Sequence, residues 1–151
     1  MDAIFCDHRN MDSISDIAAI RFPLPPPGSV TPPDLYLDAC EQAEHLRTEE
    51  ADRLEAASEA LDADPLLLAL EDARARKAAA DAEIRRLLAY GREFHGARPY
   101  RLESLAQASG MTVSGIRTAY GTGEIEEVEH AVRREPNRHT AKSPIKENHG
   151  S

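Results

Sequence analysis

The sequence has few of the residues that build a large globular core. Aromatic residues make up 5% of the 151 residues and tryptophan is absent, whereas charged residues reach 30%. Because aromatic side chains bury the largest apolar areas, a chain this poor in them is not expected to form a large core. Alanine, leucine, glutamate and arginine dominate the middle of the chain, and all four favour helices. The composition therefore predicts an all-α protein.

Cysteine is equally scarce, with Cys6 and Cys40 as the two thiols. Their spacing matches no zinc or redox motif, and the neighbouring Cys6 and His8 offer two ligands where a structural zinc site needs four. We therefore expect free thiols in a reducing compartment, with no bound metal and no cofactor.

Long apolar runs are missing as well. No stretch approaches the roughly 20 residues of a transmembrane helix, and the acidic N-terminus is unlike a signal peptide. The sequence predicts a cytoplasmic protein that does not enter a membrane.

Catalytic motifs are also absent from the sequence. His45, His95, His130 and His139 are scattered, and there is no phosphate-binding glycine loop and no nucleophile motif. Paired acids at Glu126–Glu127 are explained by solvation of a charged helix. We therefore expect the protein not to be an enzyme.

Proline and charge divide the chain into four predicted segments. Residues 1–33 contain the run FPLPPPGSVTPP, which is typical of a disordered polyproline-II linker, and a P-x-x-P ligand motif within it is the less favoured interpretation. A helical association arm is predicted over 34–95 and a small helical domain over 96–134. The polar tail, 135–151, is expected to be disordered.

Two long helices are predicted within the arm. The first spans 34–62, and its apolar residues recur every three or four positions except at Glu50. The second spans 65–95, with aspartate as N-cap and proline at the first position of Asp64–Pro65. It carries a heptad repeat typical of a coiled coil, with apolar residues at Leu66, Ala73, Ala80, Leu87 and Phe94.

A hairpin of these two helices would have one apolar side in need of a partner. We therefore expect a homodimer formed through helices 34–62 and 65–95. The alternative is a monomeric hairpin that caps the C-terminal domain.

The stretch 102–121 reads LESLAQASGMTVSGIRTAYG and has residues suited to two short helices joined by a glycine turn. The turn residue is Gly110, the N-cap of the second helix is Thr112, and the positions expected to face the core are Leu105, Ala106, Met111, Ile116 and Ala119. The stretch resembles the helix-turn-helix of DNA-binding regulators, in particular the L-A-x-x-S-G-hydrophobic-[ST] form of bacterial repressors and of the sigma-factor region that reads promoters. An ordinary helical hairpin with a glycine turn is the alternative.

This resemblance implies a set of residues that contact double-stranded DNA. The second helix would enter the major groove, and Arg117 would make a bidentate contact to guanine, worth about 1–3 kcal/mol of discrimination. Arg98 and Arg101 would contact backbone phosphates beside the groove. The remaining exposed positions at this helix are Thr112, Val113, Ser114 and Thr118.

The charge distribution favours DNA contact at this stretch. Residues 96–123 carry three arginines against one glutamate, whereas 34–95 carry sixteen acidic and eight basic side chains. Two features depart from the usual pattern of a helix-turn-helix. Gly115 lies inside the second helix, which is the predicted recognition helix, and the exposed surface of that helix has little Lys, Asn or Gln.

After a helix stop at Gly121–Gly123, a last helix is predicted over 124–133, with Ile125, Val128 and Val132 on its apolar side.

These observations together predict a small DNA-binding transcriptional regulator that acts as a dimer. The alternative is a non-enzymatic adaptor whose acidic helical arm binds a regulator or a polymerase subunit. The abundance of alanine and arginine is compatible with a bacterial source.

Overall fold

The computed structural model describes the backbone of residues 5–137 and the side chains of residues 12–137. This part of the chain contains helices and no strand, which confirms the predicted all-α fold. The chain divides into two compact units at residues 76 and 77. No helix within the described residues has the length and apolar character to span a membrane. The helices are α1 (Phe5–Arg21), α2 (Tyr36–Leu61), α3 (Pro65–Glu93), α4 (Leu102–Ser109), α5 (Val113–Ala119) and α6 (Thr122–Val132), with a 3-10 turn at Pro33–Leu35 before α2.

The N-terminal segment differs from the disorder predicted for residues 1–33, because Phe5–Arg21 form α1. Ile14 and Ile17, three residues apart on α1, are buried in a cluster with Leu54 of α2 and Ala69 of α3. The apolar stripe of α1 is too short to predict a helix by itself. The helix is stabilised by this burial against residues that are distant in the sequence.

The proline-rich residues 22–32 form turns and extended backbone that are fixed to α2. The Arg47 Nε donates to the Phe22 carbonyl oxygen at 2.7 Å, and the Tyr36 hydroxyl donates to the Pro25 carbonyl oxygen at 3.1 Å. The predicted linker is therefore an ordered segment that is hydrogen-bonded to α2 in the first unit.

The connection between α2 and α3 follows the predicted capping chemistry. Asp62 ends α2 with a left-handed backbone, at φ 48°. The Asp64 carboxylate accepts hydrogen bonds from the backbone N–H groups of Leu66 and Leu67, at 2.9 and 3.2 Å, as an N-cap of α3 does. α3 ends at Glu93, two residues before the predicted end.

A buried carboxylate links three helices of the first unit. Glu50 is only 7% exposed and accepts hydrogen bonds from Arg21 of α1 and from Arg53 of α2. The hydrogen bonds from Arg53, with the charge and hydrogen bond of Arg21, lower the pKa of Glu50. Arg21 also donates to Asp72 of α3, which in turn pairs with Arg76 at 3.1 Å. The residue that interrupts the apolar side of α2 is therefore the centre of an ion network.

The core of the second unit is built from larger side chains. Ala89 and Phe94, from the end of α3 and the residue after it, pack against Val128 of α6. Tyr90, Tyr120 and Ile125 surround this cluster. Ion pairs join the same two helices on the surface, Arg85 with Glu124 at 3.7 Å and Arg86 with Glu127 at 3.3 Å.

α5 ends at Ala119, before the predicted stop at Gly121–Gly123, but the last helix, α6, begins at Thr122, two residues before its predicted start at residue 124. The Gly121 N–H donates to the Glu124 carboxylate at 2.8 Å, and this hydrogen bond lowers the pKa of Glu124. Gly121 is therefore the N-cap of α6. Val128 is buried as predicted, whereas Val132 is 38% exposed.

The first residues of the predicted disordered tail contact the second unit. The Asn137 N–H donates to the Glu93 carbonyl oxygen at 2.6 Å, and its side-chain amide donates to the Gly96 carbonyl oxygen at 2.9 Å. The rest of that predicted tail, residues 138–151, lies outside the described residues.

Candidate nucleic-acid interface

The turn between α4 and α5 depends on the backbone freedom of Gly110. Its φ is +69°, and a Cβ built on it would meet no atom within 4 Å. Glycine is therefore favoured here by conformation and not by lack of space. Ser109 supports the same turn, since its hydroxyl donates to the Leu105 carbonyl oxygen at 2.6 Å and accepts from the Met111 N–H at 3.4 Å.

The start of α5 explains the glycine inside the predicted recognition helix. The Thr112 hydroxyl oxygen accepts a hydrogen bond from the Gly115 N–H at 2.9 Å. A Cβ on Gly115 would lie 3.1 Å from that oxygen and 3.6 Å from the Met111 Cε. Gly115 therefore lets the capping threonine and Met111 lie close to the first turn of α5.

The two sides of α5 differ sharply in exposure. Ile116 is 0% exposed and faces the interior of the second unit. Ser114, Arg117 and Thr118 are exposed, and their spacing of three and four residues places them on one side of the helix, with Arg117 at its edge beside Ile116. Among the described residues, the Arg117 guanidinium has no hydrogen bond or ion pair. Its charge is therefore available to a ligand.

The other predicted contact residues occupy different local positions. Val113 is half-buried at the start of α5, and the exposed Thr112 precedes it as N-cap. Arg98 and Arg101 are exposed in the segment before α4. This segment passes close to α5, because Pro99 and Leu102 line one cleft together with Arg117.

The same cleft contains Arg92 and Glu93, which the sequence analysis did not single out. The Arg92 guanidinium donates to the Tyr100 carbonyl oxygen at 2.7 Å, and the Tyr120 hydroxyl donates to Glu93 at 2.9 Å. Burial, and then the hydrogen bond to Glu93, raises the pKa of Tyr120 to about 12. The cleft thus combines two arginines with one carboxylate. No local motif marks Arg92 and Glu93, since they end an ordinary helix.

Close packing at Gly91 positions α4 beside the end of α3. A Cβ on Gly91 would lie 3.4 Å from the Leu105 Cδ2 and 3.5 Å from the Tyr100 Cδ2. The Gly91 carbonyl oxygen also accepts from the Tyr100 N–H at 3.0 Å. A larger residue at this position would push α4 away from the helix that supports it.

The two units differ in net charge. Residues 77–151 carry twelve basic and ten acidic side chains, whereas 1–76 carry six basic and seventeen acidic ones. The second unit therefore lacks the acidic excess of the first, which would repel phosphate. Within the described residues, no group of His, Cys, Asp and Glu side chains is arranged to hold a metal ion.

Comparison of this chain with models of known families, with curated proteins and with solved structures finds no match.

Proposed function

We propose that the protein is a DNA-binding transcriptional regulator whose α5 enters the major groove. The observation that carries this proposal is the exposed, unpaired Arg117, which shares the exposed side of α5 with Ser114 and Thr118. A helix anchored by a buried residue and presenting an arginine is suited to direct reading of base edges.

The residues around Arg117 have distinct roles in this proposal. Arg117 makes the bidentate contact to guanine, while Ser114 and Thr118 on the same side contact bases or phosphates. Val113 contacts a thymine methyl group. The Thr112 hydroxyl oxygen caps α5, and its hydrogen donates to a phosphate.

Arg98 and Arg101 provide phosphate contacts in the same proposal. Both are exposed, and their segment lines a cleft with Arg117. Phosphate contacts fix the position of the protein on the duplex without reading sequence. Arg92 in that cleft adds positive charge, which Glu93 offsets.

A dimer is part of the proposal because one copy has a small binding surface. A seven-residue helix with one arginine makes few base contacts, and a second copy doubles them. We propose that the copies associate through helices 34–62 and 65–95, so that two α5 helices read two half-sites.

Selection from a random duplex library at about 150 mM salt tests this function. We expect enrichment of one motif, organised as an inverted repeat. On that duplex, the four phosphate contacts made by Arg98 and Arg101 of the two copies predict a log–log salt slope of about −3.6, from about −0.9 per contact.

Unselective recovery of DNA by folded protein would contradict the proposal. It would favour the adaptor, in which the seventeen acidic side chains of the first unit bind a basic protein. Capture with a purified polymerase or regulator would then follow.

A further inference from the structure

Residues 96–101, here named the arginine loop, lie in the connection from α3 to α4 and carry two exposed cations and no acidic side chain. The cations are Arg98 and Arg101, and Pro99 lies between them. Proline fixes its own φ and restricts the residue before it to extended backbone. The local sequence therefore limits the conformations available to the loop between its two arginines.

Side chains from outside the arginine loop hold both of its ends. The Asn137 side-chain amide donates to the Gly96 carbonyl oxygen at 2.9 Å, and the Asn137 N–H donates to the Glu93 carbonyl oxygen at 2.6 Å. At the other end of the loop, the Arg92 guanidinium donates to the Tyr100 carbonyl oxygen at 2.7 Å. The loop is therefore fixed to the end of α3 and to the residue that follows α6 by five positions.

His95 holds the middle of the arginine loop. Its Nδ1 lies 3.4 Å from the Arg98 carbonyl oxygen, and its ring centroid lies 4.3 Å from that of Tyr100. With the proton on Nδ1, the imidazole donates to this oxygen. The Arg98 carbonyl group is thus directed at His95, while the Arg98 side chain is exposed. Carbonyl oxygens carry partial negative charge, so this arrangement lessens the repulsion of an anion that approaches the arginine.

We propose that the arginine loop is a preformed phosphate-binding loop in which Asn137 and His95 position Arg98 and Arg101. The loop serves the DNA contact of the proposed function, on which this inference rests. A loop that is ordered before binding loses less conformational entropy when its arginines meet phosphates. Because phosphate contacts carry no base information, the two positioning residues determine affinity for DNA and not the preferred sequence.

Fluorescence anisotropy of the full chain with an unselected duplex, at about 50 mM salt, tests this inference. We expect Asn137→Ala to weaken binding roughly fivefold on every duplex, since one hydrogen bond that orders the loop is lost. The melting temperature should not change, because Asn137 is exposed and lies after α6. Gln42→Ala, which removes an exposed amide from α2, is the matched control and should bind as the wild type does. A wild type that binds no duplex overturns the inference, and so does unchanged binding by Asn137→Ala.

A double-mutant cycle tests whether Asn137 acts through the two arginines. In an Arg98→Ala/Arg101→Ala background, Asn137→Ala should cause no further loss of affinity. An equal loss in both backgrounds would overturn its positioning role. His95→Phe is a second, independent variant, which keeps an aromatic ring beside Tyr100 but cannot donate to the Arg98 carbonyl oxygen. We expect it to weaken binding roughly threefold, again only while the arginines are present, and unchanged binding would overturn the role of His95.

Selection from the random duplex library, repeated with Asn137→Ala, separates this inference from the proposed function. If the loop is right and the regulator is wrong, the wild type enriches no motif, but Asn137→Ala still weakens binding to every duplex. If the regulator is right and the loop is wrong, the variant enriches the same motif and binds it as tightly as the wild type. The result expected is the same enriched motif, bound roughly fivefold less tightly by the variant.

Discussion

The two units of this chain are stabilised by different kinds of interaction. The first combines a small aliphatic cluster around Leu54 with a buried ion network centred on Glu50. The second has an aromatic core around Phe94 and short-range caps, in which the Thr112 and Glu124 side chains bind backbone N–H groups of the following or preceding turn. The first unit is strongly acidic and the second is slightly basic. This contrast is compatible with the proposal that the first unit serves association and the second contacts DNA.

The two units also differ in the sequence separation between the residues that interact. Arg21 joins Glu50, 29 residues away, and Asp72, 51 residues away. The caps at α5 and α6 join residues three apart. The first network therefore forms only when α1, α2 and α3 are assembled, whereas the caps need only a local turn.

Phe94→Ala is expected to have the largest effect. Removal of a side chain that is 1% exposed leaves a cavity in the second unit and should destabilise it by about 3–5 kcal/mol. Amide hydrogen exchange should report the loss in α5 and α6, with α1 and α2 largely unchanged. Leu87→Ala is the control, since Leu87 is mostly exposed in the same unit. Equal losses in α1 and α2 would show that the two units unfold together.

Glu50→Gln should destabilise the first unit, as Phe94→Ala destabilises the second. The substitution leaves the partly buried Arg21 without one of its two carboxylates, and we expect a loss of about 3 kcal/mol. The neighbouring Glu49→Gln removes an exposed carboxylate paired with His45 and should change stability by about 0.5 kcal/mol or less. Denaturant unfolding of both variants measures the difference. Similar values for the two would refute the role given to the ion network.

Each unit also contains a buried or half-buried group with its own pH window, Glu50 at low pH in the first unit and Tyr120 at high pH in the second. The lowered pKa of Glu50 gives stability that is present above the ordinary value of 4.5 and is lost as pH falls through the folded-state value. The raised pKa of Tyr120 gives stability that is present below 10.0 and is lost as pH rises from there through about 12.

Residue-resolved hydrogen exchange at several pH values, or unfolding monitored with a probe in each unit, measures these two windows. Glu50→Gln should reduce the acid sensitivity of the first unit, and Tyr120→Phe should reduce the alkaline sensitivity of the second. A variant that changes the pH response of the other unit would contradict the assignment.

Gly115→Ala should have the smallest effect, because two contributions oppose each other. Alanine favours a helix over glycine by about 1 kcal/mol, but its Cβ would crowd the Thr112 hydroxyl at 3.1 Å. In a Thr112→Ala background the crowding disappears, and the gain should approach the full value. A double-mutant cycle on thermal stability measures this coupling. Additive effects would mean that the capping threonine does not determine the choice of glycine.

The sequence predicted best the features that depend on neighbouring residues. Asp64 and Pro65 mark the start of α3, Gly110 marks the end of α4, and Thr112 caps α5. Each of these acts on backbone groups within three residues, so its effect can be recognised in the sequence alone.

The features that sequence analysis missed depend on distant partners. α1 is stabilised by contacts with Leu54 and Ala69, and Glu50 breaks the apolar pattern because Arg21 of α1 reaches it. At the site, Arg92 and Glu93 join the cleft beside Arg117 only because the chain folds back after α3. The residue pattern of a single helix does not indicate contacts with residues that are distant in the sequence.

The most direct test of the central claim is DNA binding by Arg117→Ala on the duplex enriched by selection and on a duplex altered at its guanine. We expect the wild type to prefer the enriched duplex and the variant to lose about 1–3 kcal/mol of that preference while its fold is unchanged. Lys77→Ala, which removes an exposed cation from α3, should keep the preference. If Arg117→Ala discriminates the two duplexes as well as the wild type does, α5 does not read the bases and the account is wrong.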